Sequence, residues 1–298
     1  MEKKSVSVAP TSLSSFSPSS AVLTIRALLV AATRELHAAS PTPRLDAEIL
    51  LAHVLGWQRA RLVAEQYVIP DPAAVCAFEA LVARRARLEP VAYLVGHREF
   101  YGLDLLVDAR VLVPRPETEL LVGCALAVAA ELSPASFADV GTGSGAVALA
   151  LAHHLPAATV YATELSTEAL AVAAANVQRC GVASRVRLLA GDLLSPVPHA
   201  VNIIVSNPPY TQLPAIAPGV ARYEPHLALD GGPDGLAVYR RLIAQVPCWL
   251  LPGGALLLEI GATQAADVTA LALASFPGAR IAVYQDLAGW DRVVVVRT

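Results

Sequence analysis

Apolar positions recur at helical spacing early in the chain and in short strand-like runs later, and the change of period divides the sequence. Between Ala21 and Ala39 the spacing of Leu23, Ala27, Val30 and Arg34 predicts a helix that Pro41 and Pro43 break. A second helix is predicted over Arg44–Leu55, with Gly56 as its C-cap, and a third over Pro72–Leu88, with Pro72 in its first turn. Residues 21–90 therefore read as a small helical domain, preceded by a Ser- and Pro-rich stretch (1–20) with the composition of a disordered tail. The period then shortens. Glu99-Phe100-Tyr101 and Leu103–Val107 flank Gly102, which predicts a short hairpin within a linker of residues 91–113.

From Pro114-Arg115-Pro116 onward the alternation is regular. A helix is expected over Glu117–Ala130, then strand Phe137–Val140, loop Gly141–Gly145 and helix Ala146–Leu155. Strand Thr159–Thr163, helix Thr167–Cys180 and strands Val186–Ala190 and Val201–Val205 follow. Helix Leu236–Leu250, strand Ala255–Ile260, helix Thr263–Ala274 and strands Ile281–Tyr284 and Val293–Val296 complete the chain. Strands alternating with helices predict an α/β domain over 114–298, a mostly parallel sheet covered on both faces. No helix separates the last two strands, so that pair is expected to be antiparallel.

Composition narrows the class. The chain has 298 residues and net charge −3, so no global basic field recruits nucleic acid. Lys3 and Lys4 are the only lysines, and Arg84-Arg85-Ala86-Arg87 is the one basic cluster. Mean hydropathy is high at +0.53, but no apolar run approaches the roughly 18 residues that span a membrane. Cys76, Cys124, Cys180 and Cys248 form no C-x-x-C pair and no metal-ligand spacing, and read as small buried hydrophobes of a reducing compartment.

The chemistry sits at predicted strand ends. Asp139-Val-Gly141-Thr142-Gly143-Ser144-Gly145 lies between a strand and its helix, where bare backbone turns tightly and approaches a ligand closely. Glu164 ends the next strand, 23 residues after Gly141, where a carboxylate can accept ribose hydroxyls. Asp192 follows the third strand, placed to accept an adenine amine. Gly141-x-Gly143-x-x-Ala146 also satisfies a dinucleotide pattern, so a nicotinamide oxidoreductase remains an alternative. Asn207-Pro208-Pro209-Tyr210 separates the readings. Two prolines stiffen the stub after the fourth strand, and the stub offers carbonyls, a carboxamide and a ring to a planar group bearing N–H donors. A methyl donor with a sulfonium leaving group chiefly needs its acceptor oriented. A hydride enzyme needs an acid or base, and His153, His154 and His199 read as surface residues.

With these motifs the chain resembles the PrmC (HemK) family of protein-(glutamine N5) methyltransferases, which modify peptide chain release factors. The resemblance runs from about residue 21. It is carried by Leu45-Asp-Ala-Glu-Ile-Leu-Leu-Ala-His53, Gly96-His-Arg-Glu-Phe-Tyr-Gly102, Pro114-Arg-Pro-Glu-Thr-Glu119, Ser206-Asn-Pro-Pro-Tyr210, Tyr223-Glu-Pro225, Asp230-Gly-Gly-Pro-Asp-Gly-Leu236, Glu259-Ile-Gly261 and Asp286-Leu-Ala-Gly-Trp-Asp-Arg292. N-P-P-Y alone is shared with adenine and guanine methyltransferases of nucleic acids, which stand as the rival enzyme class. The resemblance implies a Rossmann-like methyltransferase domain with a seven-stranded, mostly parallel sheet whose last strand is antiparallel. It implies that S-adenosylmethionine is bound by Gly141, Thr142, Gly143, Ser144, Gly145, Glu164, Asp192, Leu193 and Asn207, with S-adenosylhomocysteine as product. Glu164 stands where many relatives carry Asp, and Leu193 where many carry an aromatic. Asn207, Pro208, Pro209, Tyr210 and Phe100 are implied to hold the acceptor glutamine, with the Pro114–Thr118 segment lining the site. Tyr223–Pro225 and Asp230–Gly235 are implied to cover the cleft. The partner is a class 1 release factor with a Gly-Gly-Gln loop. A cytoplasmic monomer is expected, with no membrane, no metal and no stable nucleic-acid binding.

Overall fold

The computed structural model describes residues 23–133 and 135–298. The expected tail and the first two residues of the first expected helix lie outside the described residues. The chain divides into two compact units, one up to Val82 and one from Ala83. In the first, α1 (Ile25–Glu35) continues as a tight turn over Leu36–Ala38, and α2 (Pro43–Leu55), α3 (Arg59–Ala64) and the start of α4 (Pro72–Ala86) follow. Thr24 caps α1, its hydroxyl oxygen accepting the Ala27 N–H at 3.2 Å. Gly56 ends α2 in the left-handed conformation at φ +63°. α1 packs on α2 and α2 on α3, with Ile25, Leu28, Leu29, Leu50, Leu51 and Leu62 buried. α3 was not expected: its six residues are too short to show a period.

In the second unit the end of α4 is followed by α5 (Val91–Val95), a short helix behind Pro90 that the expected linker did not contain. The hairpin is present as β1 (His97–Phe100) and β2 (Leu103–Leu106), antiparallel. Tyr101 and Gly102, both at positive φ, form its two-residue turn. Then come α6 (Thr118–Leu132), β3 (Ser136–Val140), α7 (Ala146–His154), β4 (Thr159–Glu164), α8 (Thr167–Arg179), β5 (Val186–Ala190) and β6 (Val201–Ser206). The chain ends with α9 (Pro218–Tyr223), α10 (Ala237–Trp249), β7 (Leu250–Glu259), α11 (Ala265–Ser275), β8 (Arg280–Gln285) and β9 (Asp291–Arg297).

The seven strands run in the order β5-β4-β3-β6-β7-β9-β8. β5, β4, β3, β6 and β7 pair in parallel, and β9 is antiparallel to both β7 and β8. This is the expected Rossmann-like sheet. Side chains of β6 alternate between two cores: Ile203 and Val205 pack with Leu121, Ala125 and Leu149, and Ile204 with Tyr239, Leu242 and Val268. β7 begins five residues before its expected start, because Pro252-Gly253-Gly254 reads as a turn. The pairing with β6 absorbs it by a register shift between Val201 and Ile203.

The strand order reverses between β3 and β6. β3 is followed in space by β4 and β5 on one side and by β6 on the other. At such a switch point the loops after the strands diverge and leave a crevice at the carboxyl ends. The cysteine expectation needs correction: Cys76 and Cys248 are exposed, Cys180 is half-buried and only Cys124 is buried, where burial pushes its thiol up to about 11. Among the described residues no helix is long and apolar enough to cross a membrane, and no group of three His, Cys, Asp or Glu is placed to hold a metal ion.

Candidate active site

The crevice holds two cavities. The larger, about 500 Å³, is lined by Gly141, Thr142, Gly143, Ser144, Glu164, Asp192, Leu193, Asn207 and Pro209 among others. The smaller, about 200 Å³, is lined by Asn207, Pro208, Tyr210, Ile216, Val220 and Leu229. Asn207, Leu112, Arg115 and Ala228 border both. Of the residues expected from sequence to touch cofactor or acceptor, all but Gly145 and Phe100 border one or both of these chambers, which share Asn207.

Gly141 and Gly143 have φ +74° and +57°, and nothing stands within 4 Å of where a Cβ would project. The loop therefore presents bare backbone to the larger cavity. Its floor is tied down from beneath: the Gly141 and Thr142 N–H groups both donate to the Thr163 carbonyl at 2.9 Å. Glu164 accepts the Gly143 N–H at 2.9 Å and the Ser166 N–H at 2.9 Å, so two backbone donors hold its carboxylate while lone pairs remain for a ligand. Asp192 also lines the cavity, and it is ion-paired to Arg241. A cavity of 300–1,000 Å³ is the usual range for a cofactor, and a glycine cradle with a fixed carboxylate suits a nucleoside-bearing one.

Two expectations for contact residues need correction. Gly145 does not line the cavity; at φ +87° it turns the chain into α7, and a Cβ there would stand 3.1 Å from Leu149. Its absent side chain serves helix packing. Phe100 lines neither cavity. It is buried in the core with Leu105 and Leu121, because the tight turn at Tyr101-Gly102 directs the hairpin's inner face towards the sheet.

The stub after β6 is held from several directions. The Asn207 carboxamide donates through Nδ2 to Thr118 Oγ1 at 3.1 Å. The Tyr210 hydroxyl donates to Glu259 Oε1 at 3.4 Å. The Tyr210 carbonyl accepts from Gln264 Nε2 at 3.3 Å, and the same nitrogen donates to the Gly235 carbonyl at 3.1 Å. Glu224 is buried and accepts the Val113 N–H at 3.1 Å and Arg115 at 2.7 Å, which ties the residues before α6 to the segment after the stub. Thr118 ends the segment expected to line the site and Glu224 lies in the one expected to cover the cleft, whereas Glu259 and Gln264 were given no site role from sequence. Glu224 and Glu259 stood inside recognisable motifs; Gln264 carried no signal.

Burial sets the proton affinities. Asp139, fully enclosed, takes hydrogen bonds from the Thr142 hydroxyl at 2.6 Å and the Ala148 N–H at 3.1 Å, yet burial pushes its carboxyl up to about 6. Burial likewise pushes Glu259 up to about 7, opposed by the Thr118 hydroxyl, Arg292 and Tyr210. Burial and the nearby Glu259 push Tyr210 up to about 12, so its hydroxyl stays a donor. The folded state therefore retains two protons that the unfolded chain releases near pH 4. Stability from these groups is full below that range and is lost as pH rises through about 6 and about 7. Asp234, held at about 2 by its hydrogen bond to Arg240, titrates outside that window. Thermal melting is expected to show a midpoint that falls between pH 5 and pH 8, with a shallower fall in Glu259→Gln. An unchanged slope in that variant would show that Glu259 does not titrate there.

A glycine loop after the first strand of a seven-stranded sheet, a carboxylate after the second and Asn-Pro-Pro-Tyr after the fourth define a Rossmann-like methyltransferase. Comparison with known proteins agrees. Residues 27–96 match the PrmC N-terminal domain and residues 118–222 the methyltransferase small domain. A release factor glutamine methyltransferase of Moorella thermoacetica is 44% identical over 274 residues, which is 91% of this chain and 97% of that protein. One of Cereibacter sphaeroides is 46% identical over 259 residues, 85% of this chain and 90% of that protein. A methyltransferase structure from Pyrococcus furiosus shares the fold, with TM-score 0.50 and 19% identity over 74% of this chain and 96% of its own. The chain belongs to the release factor glutamine methyltransferase family.

Proposed function

We infer that this chain transfers a methyl group from S-adenosylmethionine to the side-chain N5 of the glutamine in the Gly-Gly-Gln motif of peptide chain release factors. The observation that carries the reading is Asn207 at the border of two chambers, one cofactor-sized and one small, in a chain whose relatives bear that activity in their names. Gly141–Ser144, Glu164, Asp192 and Leu193 would hold the cofactor in the larger chamber. Bound there, S-adenosylmethionine supplies an activated methyl on a sulfonium and leaves as S-adenosylhomocysteine.

The protein's own task is orientation. An amide nitrogen is a poor nucleophile because its lone pair is delocalised into the carbonyl. Asn207 Oδ1 and the Pro208 carbonyl would each accept one N–H of the glutamine amide, fixing its plane and raising electron density on nitrogen. The rigid prolines keep those acceptors in place, and the Tyr210 ring packs beside them. The oriented nitrogen would take the methyl as the carbon–sulfur bond breaks with its electron pair left on sulfur, and the surplus amide proton would pass to solvent. Residues 21–90 are proposed to recognise the release factor outside its glycine-flanked loop, because ordering a mobile loop costs entropy that a second contact offsets.

Mass spectrometry of a release factor incubated with enzyme and S-adenosylmethionine tests the reading. A single methyl on the Gly-Gly-Gln glutamine is the expected product. A methyl on a nucleic-acid base or on lysine instead would overturn it. Glu164→Ala is expected to weaken cofactor binding by about tenfold to a hundredfold, since hydrogen bonds to a charged acceptor contribute roughly 1.5–3 kcal/mol. Calorimetry giving wild-type affinity would remove Glu164 from the cofactor site.

A further inference from the structure

An acceptor amide has two ends, and the contacts assigned so far serve one of them. Asn207 Oδ1 and the Pro208 carbonyl would accept from its NH₂ group. Its carbonyl oxygen, enclosed in the smaller cavity, also needs a partner, because a buried acceptor left unpaired costs its desolvation in full. Among the described residues, the side-chain donors that line this cavity are those of Arg115, Asn207, Tyr210 and Thr211. Asn207 Nδ2 is engaged by Thr118, and the Tyr210 hydroxyl by Glu259. Thr211 borders the smaller cavity only, whereas Arg115, like Asn207, borders both. The carbonyl oxygen and the reacting nitrogen of an amide share one carbon, so both would sit at that border.

Arg115 is held in place from behind. Its Nη2 donates to Glu224 Oε1 at 2.7 Å, and Glu224, with a side chain 1% exposed, is fixed in turn by the Val113 N–H at 3.1 Å. The Arg115 side chain is 33% exposed, and among the described residues its Nε and Nη1 meet no hydrogen-bond partner. Pro114 and Pro116 stiffen the backbone on both sides of it. The ion pair neutralises the guanidinium. What remains is a fixed fork of N–H donors with no net charge to set against a sulfonium. Such a fork suits a neutral oxygen better than a carboxylate.

We propose that Arg115 is the second half of the acceptor site: it donates to the carbonyl oxygen of the substrate amide and so decides which end of that amide faces the methyl donor. The proposal rests on the glutamine-amide reading of the site. The two ends of a carboxamide are nearly the same size, so the shape of a chamber does not tell them apart. A donor at one end and two acceptors at the other do. Turned end for end, the amide would set its NH₂ against the guanidinium and its oxygen against Asn207 Oδ1 and the Pro208 carbonyl. The same polarity excludes glutamate, whose carboxylate would face those two acceptors with no proton to offer. Arg115 thereby acquires a task in a segment that was expected only to line the site.

Arg115→Lys and Thr211→Val, assayed on an intact release factor, test the assignment. Lysine keeps a positive charge for Glu224 but not the rigid fork that serves two partners at once. Its single-turnover rate is expected to fall roughly tenfold to a hundredfold, the scale of one hydrogen bond to a charged donor, with cofactor affinity within about threefold of wild type. A purely structural ion pair predicts a lysine variant that turns over like wild type. Thr211→Val should keep the wild-type rate. The infrared band of an isotope-labelled glutamine side-chain carbonyl reads the contact directly, whether or not the lysine variant melts lower. With S-adenosylhomocysteine present, that band should lie at higher frequency in release factor bound to Arg115→Lys than to wild type, because a donor to the oxygen is lost. The same band with both enzymes, a wild-type rate in Arg115→Lys, or a larger loss in Thr211→Val would overturn the proposal. So would a lysine variant that loses cofactor affinity in step with rate, which would place Arg115 on the cofactor's carboxylate. Wild-type enzyme that leaves the glutamine unmethylated would instead overturn the functional reading beneath it.

Discussion

Asn207→Ala is expected to slow methyl transfer in single-turnover assays by roughly a hundred- to a thousandfold, the usual cost of removing one oriented hydrogen-bonding group from a reacting centre. The side chain lies at the border of the two cavities. Its reach is set by β6, whose pairing to β3 runs through Ser206, and the Ser206 hydroxyl donates to the Val140 carbonyl at 2.7 Å. The residue that follows is therefore delivered from a fixed strand end. Pro208 and Pro209 prevent the backbone from compensating for the missing carboxamide. Cofactor affinity should change only a few-fold, because most of the cofactor cradle belongs to β3, β4 and the turn after β5. The informative result is this split between rate and affinity. A variant that turns over within a few-fold of wild type would show that Pro208 and the chamber walls orient the amide without Asn207.

Much of this was legible in the chain because the relevant physics is local. The glycine loop, Glu164 and Asn207 each follow a buried apolar run, and residues just past such runs end up at one edge of a parallel sheet. That Phe100 belongs to the core and not to the site wall could not be read locally, since an aromatic beside a tight hairpin turn is compatible with either place. Gly145 looked like the rest of its loop, and only the approach of Leu149 shows that its role is packing. The supporting residues were hidden for a different reason. Thr118 reaches Asn207 across 89 residues and Glu259 reaches Tyr210 across 49. Such pairings depend on which strand ends meet, and no period or spacing encodes them. The short helices α3, α5 and α9 escaped because five or six residues carry less than two turns of pattern.

The Asp230-Gly-Gly-Pro-Asp-Gly-Leu236 segment offers the sharpest test of the stub's support. It was expected only to cover the cleft, yet Gly231 lies against the backbone of Tyr210. A Cβ at Gly231 would stand 2.7 Å from both the Tyr210 Cα and carbonyl carbon and 2.9 Å from the Gly235 Cα. None of these is a flexible side-chain tip, so the backbone must move. The approach is enforced by the Gly231 N–H donating to the Thr211 carbonyl at 2.9 Å and the Thr211 N–H to the Leu229 carbonyl at 3.0 Å. Gly231→Ala should therefore push Tyr210, and with it the prolines and Asn207, away from their positions. Overpacking of this kind costs about 1–3 kcal/mol of stability. A displacement near 1 Å in a reacting geometry costs roughly a hundredfold in rate. Cofactor affinity should hold, because the Gly141–Ser144 loop and Glu164 sit on other strands. Gly278→Ala is the matched control: nothing lies within 4 Å of its Cβ position, and it should leave both melting and turnover unchanged. If Gly231→Ala melts and turns over like that control, the segment only covers the cleft, and the stub keeps its position through β6, Thr118 and Gln264 alone.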